Sequence, residues 1–89
     1  MGSERVQSSQ RRIAVVGIVI EEREKSAPIV NEILGKYGEL IVGRMGIPYR
    51  ERGICVISII VDATMDELGA LTGKLGSVPG VRVRMALTV

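Results

Sequence analysis

The sequence predicts an α+β domain in which a four-stranded antiparallel sheet carries two helices on one face, and three observations predict it. Periodicity along the chain runs strand, helix, strand, strand, helix, strand. Two of the strand-like runs are apolar on both faces, and the other two are interrupted by arginine. Together these features ask for two central strands, two edge strands and more covering surface than two helices supply.

The first strand is expected over 12–20, where Ile13, Val15 and Val19 share one face and Ala14, Val16, Ile18 and Ile20 the other. A helix over 26–37 follows, with Ser26 as its N-cap, Pro28 in its first turn, and a stripe of Ile29, Val30, Ile33, Leu34 and Tyr37 before Gly38 stops it. The second strand is expected over 39–46 and is interrupted by Arg44. A third, over 53–62, sets Cys55, Ile57, Ile59 and Val61 against Ile54, Val56, Ser58 and Ile60. The second helix, over 65–77, opens with the capping-box residues Thr64 and Glu67, buries Leu68, Leu71, Leu75 and Val78, and ends at Pro79-Gly80. In the last strand, over 81–88, Arg82 and Arg84 alternate with inward Val81, Val83 and Met85. Two strand–helix–strand units in this order, with right-handed crossovers, form the ferredoxin-like βαββαβ sandwich, whose first and third strands are central.

Composition limits the function. Eighty-nine residues suit one domain, expected over 12–89, after a polar arm over 1–11 expected to be disordered. The chain is 46% hydrophobic and 2% aromatic, with no Phe or Trp, so its core is aliphatic. A net charge of +2 is too weak for a nucleic-acid footprint. The arm has no apolar stretch of a signal peptide, and no run is long enough to cross a bilayer, so a soluble cytoplasmic protein is expected. The single cysteine, Cys55, sits in an apolar run as a small core residue and can form no intramolecular disulfide. Without a histidine base, a nucleophile elbow or a zinc motif, no catalytic, cofactor or metal residue is assigned.

The stretch Asp62-Ala63-Thr64-Met65-Asp66-Glu67-Leu68-Gly69-Ala70-Leu71-Thr72-Gly73-Lys74-Leu75-Gly76, then Pro79-Gly80-Val81-Arg82-Val83, with Arg44-Met45-Gly46-Ile47-Pro48-Tyr49 upstream, resembles a known family. It is similar to the small ACT-like regulators of iron-only hydrogenase systems, over nearly all of Arg12 to Val89. The resemblance implies an ACT-type domain, related to the ligand-binding half of nickel-responsive repressors, that pairs through sheets or edges and binds small effectors at the interfaces. The chain departs from those repressors in having no histidine and one cysteine, so their nickel site cannot be built from it. The arm is also too short and polar for a DNA-binding domain.

Several groups are candidates for a site, each with a plainer reading beside it. Gly69, Gly73 and Gly76 line one side of the second helix, which implies close packing against a backbone or room beside a ligand. Arg44, Tyr49, Arg50 and Arg52 fall in a segment expected to link the middle strands; they could receive an anionic effector or simply keep a loop solvated. The acids of Glu21-Glu22-Arg23-Glu24-Lys25 sit where ACT-type domains place effector contacts, but they also suit a helix start. Asp62, Asp66 and Glu67 could suggest a hard cation, although capping accounts for the last two. Ile18, Val56 and Ile60 are expected at a subunit interface. The expected function is a homo-oligomeric regulatory module, a dimer or tetramer, with a small anionic effector; the alternative is a structural interaction subunit without a ligand.

Overall fold

The computed structural model describes residues 10–89. Its elements are β1 (Arg12–Ile20), α1 (Arg23–Lys36), β2 (Ile41–Tyr49), β3 (Ile54–Ala63), α2 (Met65–Gly76) and β4 (Val81–Leu87), with short 3-10 turns at Gly38–Leu40 and Arg50–Arg52. The sheet order is β2-β3-β1-β4 and every pairing is antiparallel. The two doubly apolar runs are therefore the central strands, and the arginine-bearing runs are the edges.

Both helices lie over one face, and the core forms beneath them. Ala14, Val16, Ile18 and Ile20 of β1 and Ile57, Ile59, Val61 and Ala63 of β3 meet Val30 and Leu34 of α1 and Leu68, Leu71 and Leu75 of α2, with Val78 beyond it. The expected stripe of α2 is buried as drawn. That of α1 is narrower, because Ile33 and Tyr37 are only partly covered and Ile29 is exposed. Cys55 lies half-buried at the margin of this core.

Two element starts differ from the sequence reading for physical reasons. Helix α1 begins at Arg23, with Glu22 rather than Ser26 at its N-cap. Ser26 is buried instead, and its hydroxyl donates to the Pro79 carbonyl oxygen at 2.6 Å, tying α1 to the turn that launches β4. Pro28 accordingly falls inside the helix, where it has no N–H to offer the Glu24 carbonyl. By contrast, the start of α2 follows the sequence: the Glu67 amide donates to Thr64 Oγ1 at 3.2 Å and the Thr64 amide to Glu67 Oε1 at 2.9 Å.

The segment expected to link the middle strands is largely strand. β2 runs on to Tyr49, pairing Ile47 with Val56 and Tyr49 with Ile54, and the hairpin closes through Arg50–Arg52 and Gly53, whose φ of +67° suits glycine. Pro48 is tolerated because β2 is an edge. A bulge at Val42 shifts the register, so Ile41 faces the helices whereas Gly43, Met45, Ile47 and Tyr49 face away from them.

The arm expected over 1–11 lies outside the described residues up to residue 9. Arg11 is held against β3, with its Nε 3.0 Å from Asp62 Oδ1. Among the described residues no helix is long and apolar enough to cross a membrane.

Candidate functional site

The face of the sheet opposite the helices is uncovered. Strand register assigns to it Ile13, Val15, Gly17 and Val19 of β1, Ile54, Val56, Ser58, Ile60 and Asp62 of β3, Met45, Ile47 and Tyr49 of β2, and Arg82, Arg84 and Ala86 of β4. Met45 is 64% exposed, Ile47 52% and Ile60 43%. Large apolar side chains thus run from the β2 edge onto the central strands, while the guanidinium groups of the face are confined to the β4 edge.

Of the three residues expected at a subunit interface, Val56 and Ile60 lie on this open face. Ile18 does not: it is fully buried beneath the helices. The reason is that β1 is apolar on both sides, so alternation alone could not say which side the helices would cover. Next to Ile18 on the open side lies Gly17, which pairs with Ser58 on β3 and with Arg84 on β4. The small or polar interruptions of the two central strands therefore sit side by side.

The arginine and tyrosine group does not form one cluster. Arg44 points to the helix side of β2, where its guanidinium donates to the Asn31 side-chain oxygen of α1. Tyr49 lies on the opposite side, and Arg50 and Arg52 are exposed in the turn that follows. The acidic run is also engaged locally. Glu21 Oε2 is 3.0 Å from Arg82 Nε, and the Glu21 amide donates to the Gly80 carbonyl at 2.7 Å. Glu22 packs on Gly80, whose φ of +76° and narrow surroundings both favour glycine. Asp62 and Glu67 serve Arg11 and the helix cap, and among the described residues no group of three potential ligating side chains is placed to hold a metal.

The glycines of α2 do share a surface. Gly69, Gly73 and Gly76, with Thr72, form one wall of a groove of about 530 Å³ whose other wall is β4 from Val81 to Met85. A Cβ at any of the three would meet nothing within 4 Å, so within the protomer they do not admit a close backbone. They leave an open channel. The Thr72 hydroxyl donates back to the Leu68 carbonyl at 2.9 Å, so it already has a partner in its own helix.

A second depression lies on the open face. Gly17, Ile18, Val19 and Val56 form its floor and Arg82 and Arg84 its rim, enclosing about 350 Å³. An adjoining hollow of about 250 Å³ is lined by Gly43, Arg44, Met45, Ser58 and Ile60. Sequence reasoning used Arg82 and Arg84 only to mark an edge strand and did not single out Gly17. The available signal was that Gly17 and Ser58 are the residues that break the two central apolar runs.

This architecture, with a four-stranded sheet roofed on one face and two open concave surfaces beside β4, defines a small α+β domain of the ACT type. A model of the TM1266-like family, described as an iron-only hydrogenase system regulator, matches residues 12–85, and the chain belongs to that family. The structure of TM1266 from Thermotoga maritima is 39% identical, covers 90% of this chain and 100% of its own, and superimposes with a TM-score of 0.87. The ACT domain from the GTP pyrophosphokinase of Chlorobium tepidum, 22% identical over 86% of this chain and 100% of its own, has a TM-score of 0.73 and shows the shared fold. An unknown protein from Galdieria sulphuraria, 12% identical over 90% of this chain and 46% of its own, reaches 0.66. No curated protein matches the chain.

Proposed function

We propose that this chain is a cytoplasmic, homo-oligomeric regulator of an iron-only hydrogenase system rather than an enzyme, pairing copies through the open sheet face and taking a small anionic effector at the subunit boundary. The observation that carries the reading is the run of exposed Met45, Ile47 and Ile60 beside half-covered Val19 and Val56 on one flat face. Four strands of this length span roughly 20 by 30 Å. That is roughly 600 Å² in projection, near the ~800 Å² each partner contributes to a standard interface. Clustered exposed apolar side chains on a face of this extent suit an interaction site. An effector seated where two copies meet would bias their association by its differential affinity for the paired and unpaired states.

Sedimentation across a concentration series tests the pairing. Wild-type protein is expected to sediment as a dimer or tetramer. Val56→Asp is expected to give a folded monomer, whereas Ile18→Asp, which puts a charge beneath the helices, should abolish the fold. Wild-type protein that stays monomeric throughout would sink the proposal.

A second reading, a structural interaction subunit without a ligand, is favoured by one observation. Among the described residues, no buried side-chain polar atom lacks a hydrogen-bond partner, so no such group waits for a ligand. Thermal shifts with amino acids, nucleotides and carboxylates separate the two readings, because a ligand selective for the folded protein raises its stability.

A further inference from the structure

We infer that the hollow at Gly17, rimmed by the arginines of β4, is a binding site for a small amphipathic anion: a carboxylate or phosphate head on a short apolar body. Three features converge there. First, Gly17 leaves a gap between the flanking Val15 and Val19 on an otherwise filled apolar row, and the gap is floored by Val19 and Val56. Second, register sets Gly17 beside Arg84 and Val19 beside Arg82, so two arginines border the gap on its β4 side while Val56 of β3 lies on the other. From the arginines of β4 across β1 to Val56 of β3 is two strand spacings, roughly 10 Å between backbones, a length that fits a six-carbon acid with its tail on the valine floor.

Third, the rim carries positive charge that the open face does not neutralise. Arg82 Nε meets Glu21 at the strand end. Arg84 has no acidic partner among the described residues; its NH1 donates at 2.8 Å to the Val83 carbonyl, which leaves the rest of the fork free for an anion. Arginine beside an apolar floor selects a molecule with both characters, because a bare anion gains nothing from Val19 and Val56 and a neutral apolar molecule gains nothing from the guanidinium.

The site rests on the paired-sheet reading for its roof. Where a second copy covers the face, Gly17 and Ser58 would leave space that the neighbouring isoleucines and methionine do not, and a ligand there would be enclosed. The glycine groove of α2 lies on the other side of β4 and shares Arg82 and Arg84 with it, but has none of its Gly17, Val19 and Val56 floor.

Amide shifts in a ¹⁵N-labelled sample, titrated with hexanoate, hexyl phosphate, hexanol and inorganic phosphate, test the inference, with sedimentation run on the same samples. The expected result is saturable movement of the Gly17, Val56 and Ser58 amides with hexanoate or hexyl phosphate, and the stronger of the two names the head group. Hexanol and inorganic phosphate should bind far more weakly. Arg84→Met should weaken binding on the order of tenfold with an unchanged far-UV spectrum. Gly17→Val, whose new Cβ would lie 4.0 Å from the Arg84 carbonyl oxygen in ordinary contact, should fold and lose binding. No saturable shift with either amphipathic probe, equal binding of hexanol, or undiminished binding by Arg84→Met overturns the site. An oligomer that binds neither probe removes the site and leaves sheet pairing standing; a monomer removes sheet pairing, whatever it binds.

Discussion

Ile59 and Ile60 are neighbours on β3, yet the first is fully buried and the second is 43% exposed. The same contrast runs across the sheet. Val16, Ile18 and Ile20 are sealed beneath the helices, while Val15 and Val19 on the same strand have nothing above them in the protomer. On the two central strands both faces are largely aliphatic, and what separates those isoleucines and valines is their cover. The proposed pairing rests on isoleucine and valine placed on an uncovered face, which is why the open face, rather than the loops, carries the functional reading.

The sharpest way to break this comparison is to shorten each isoleucine in turn. Ile59→Ala should cost about 2–5 kcal/mol in urea denaturation, through lost burial and the cavity left under the helices. Ile60→Ala should cost about 0.5 kcal/mol or less at dilutions where the protein is monomeric. Its cost should grow with protein concentration if the face is paired. Equal, concentration-independent costs at the two positions would mean that the faces do not differ as drawn.

A smaller effect tests the cover itself. Thr64→Ala removes the acceptor for the Glu67 amide at the head of α2 and should lower stability by about 1 kcal/mol. A further modest effect has the opposite sign. Gly73→Ala adds a methyl where nothing lies within 4 Å, so thermal unfolding should show a gain of about 0.5–1 kcal/mol from helix propensity. A loss in its place would reveal that the groove beside β4 is filled by a partner in solution.

The two edges show how much of the site was legible in the sequence. β4 was readable because Arg82 and Arg84 alternate with Val81 and Val83, and the register sets that alternation on opposite faces of the sheet. β2 was not. A strand was expected over 39–46 and the arginine-rich stretch from Arg44 was expected to link the middle strands, but the ten residues of β3 supply a ladder long enough to keep the chain paired to Tyr49, and the bulge at Val42 reverses the side-chain alternation that follows. The expected meeting of Arg44 with Tyr49 failed for the same reason: the two are an odd number of strand positions apart, so pairing sends them to opposite faces. Gly69, Gly73 and Gly76 were correctly placed on one side of a helix, but what that side faced could not be read from spacing.

The sequence by itself determined the order of the elements, the identity of the central and edge strands, the capping of α2 and most of the aliphatic core. These are local properties, set by side-chain periodicity and by hydrogen bonds between residues close in the chain. Tertiary structure decided which face of each doubly apolar strand the helices would cover, how far β2 would pair, and that Gly17, Ser58 and Arg84 would lie in one row. Those outcomes depend on register between strands that are distant in sequence, where a shift of one residue moves every side chain to the other face.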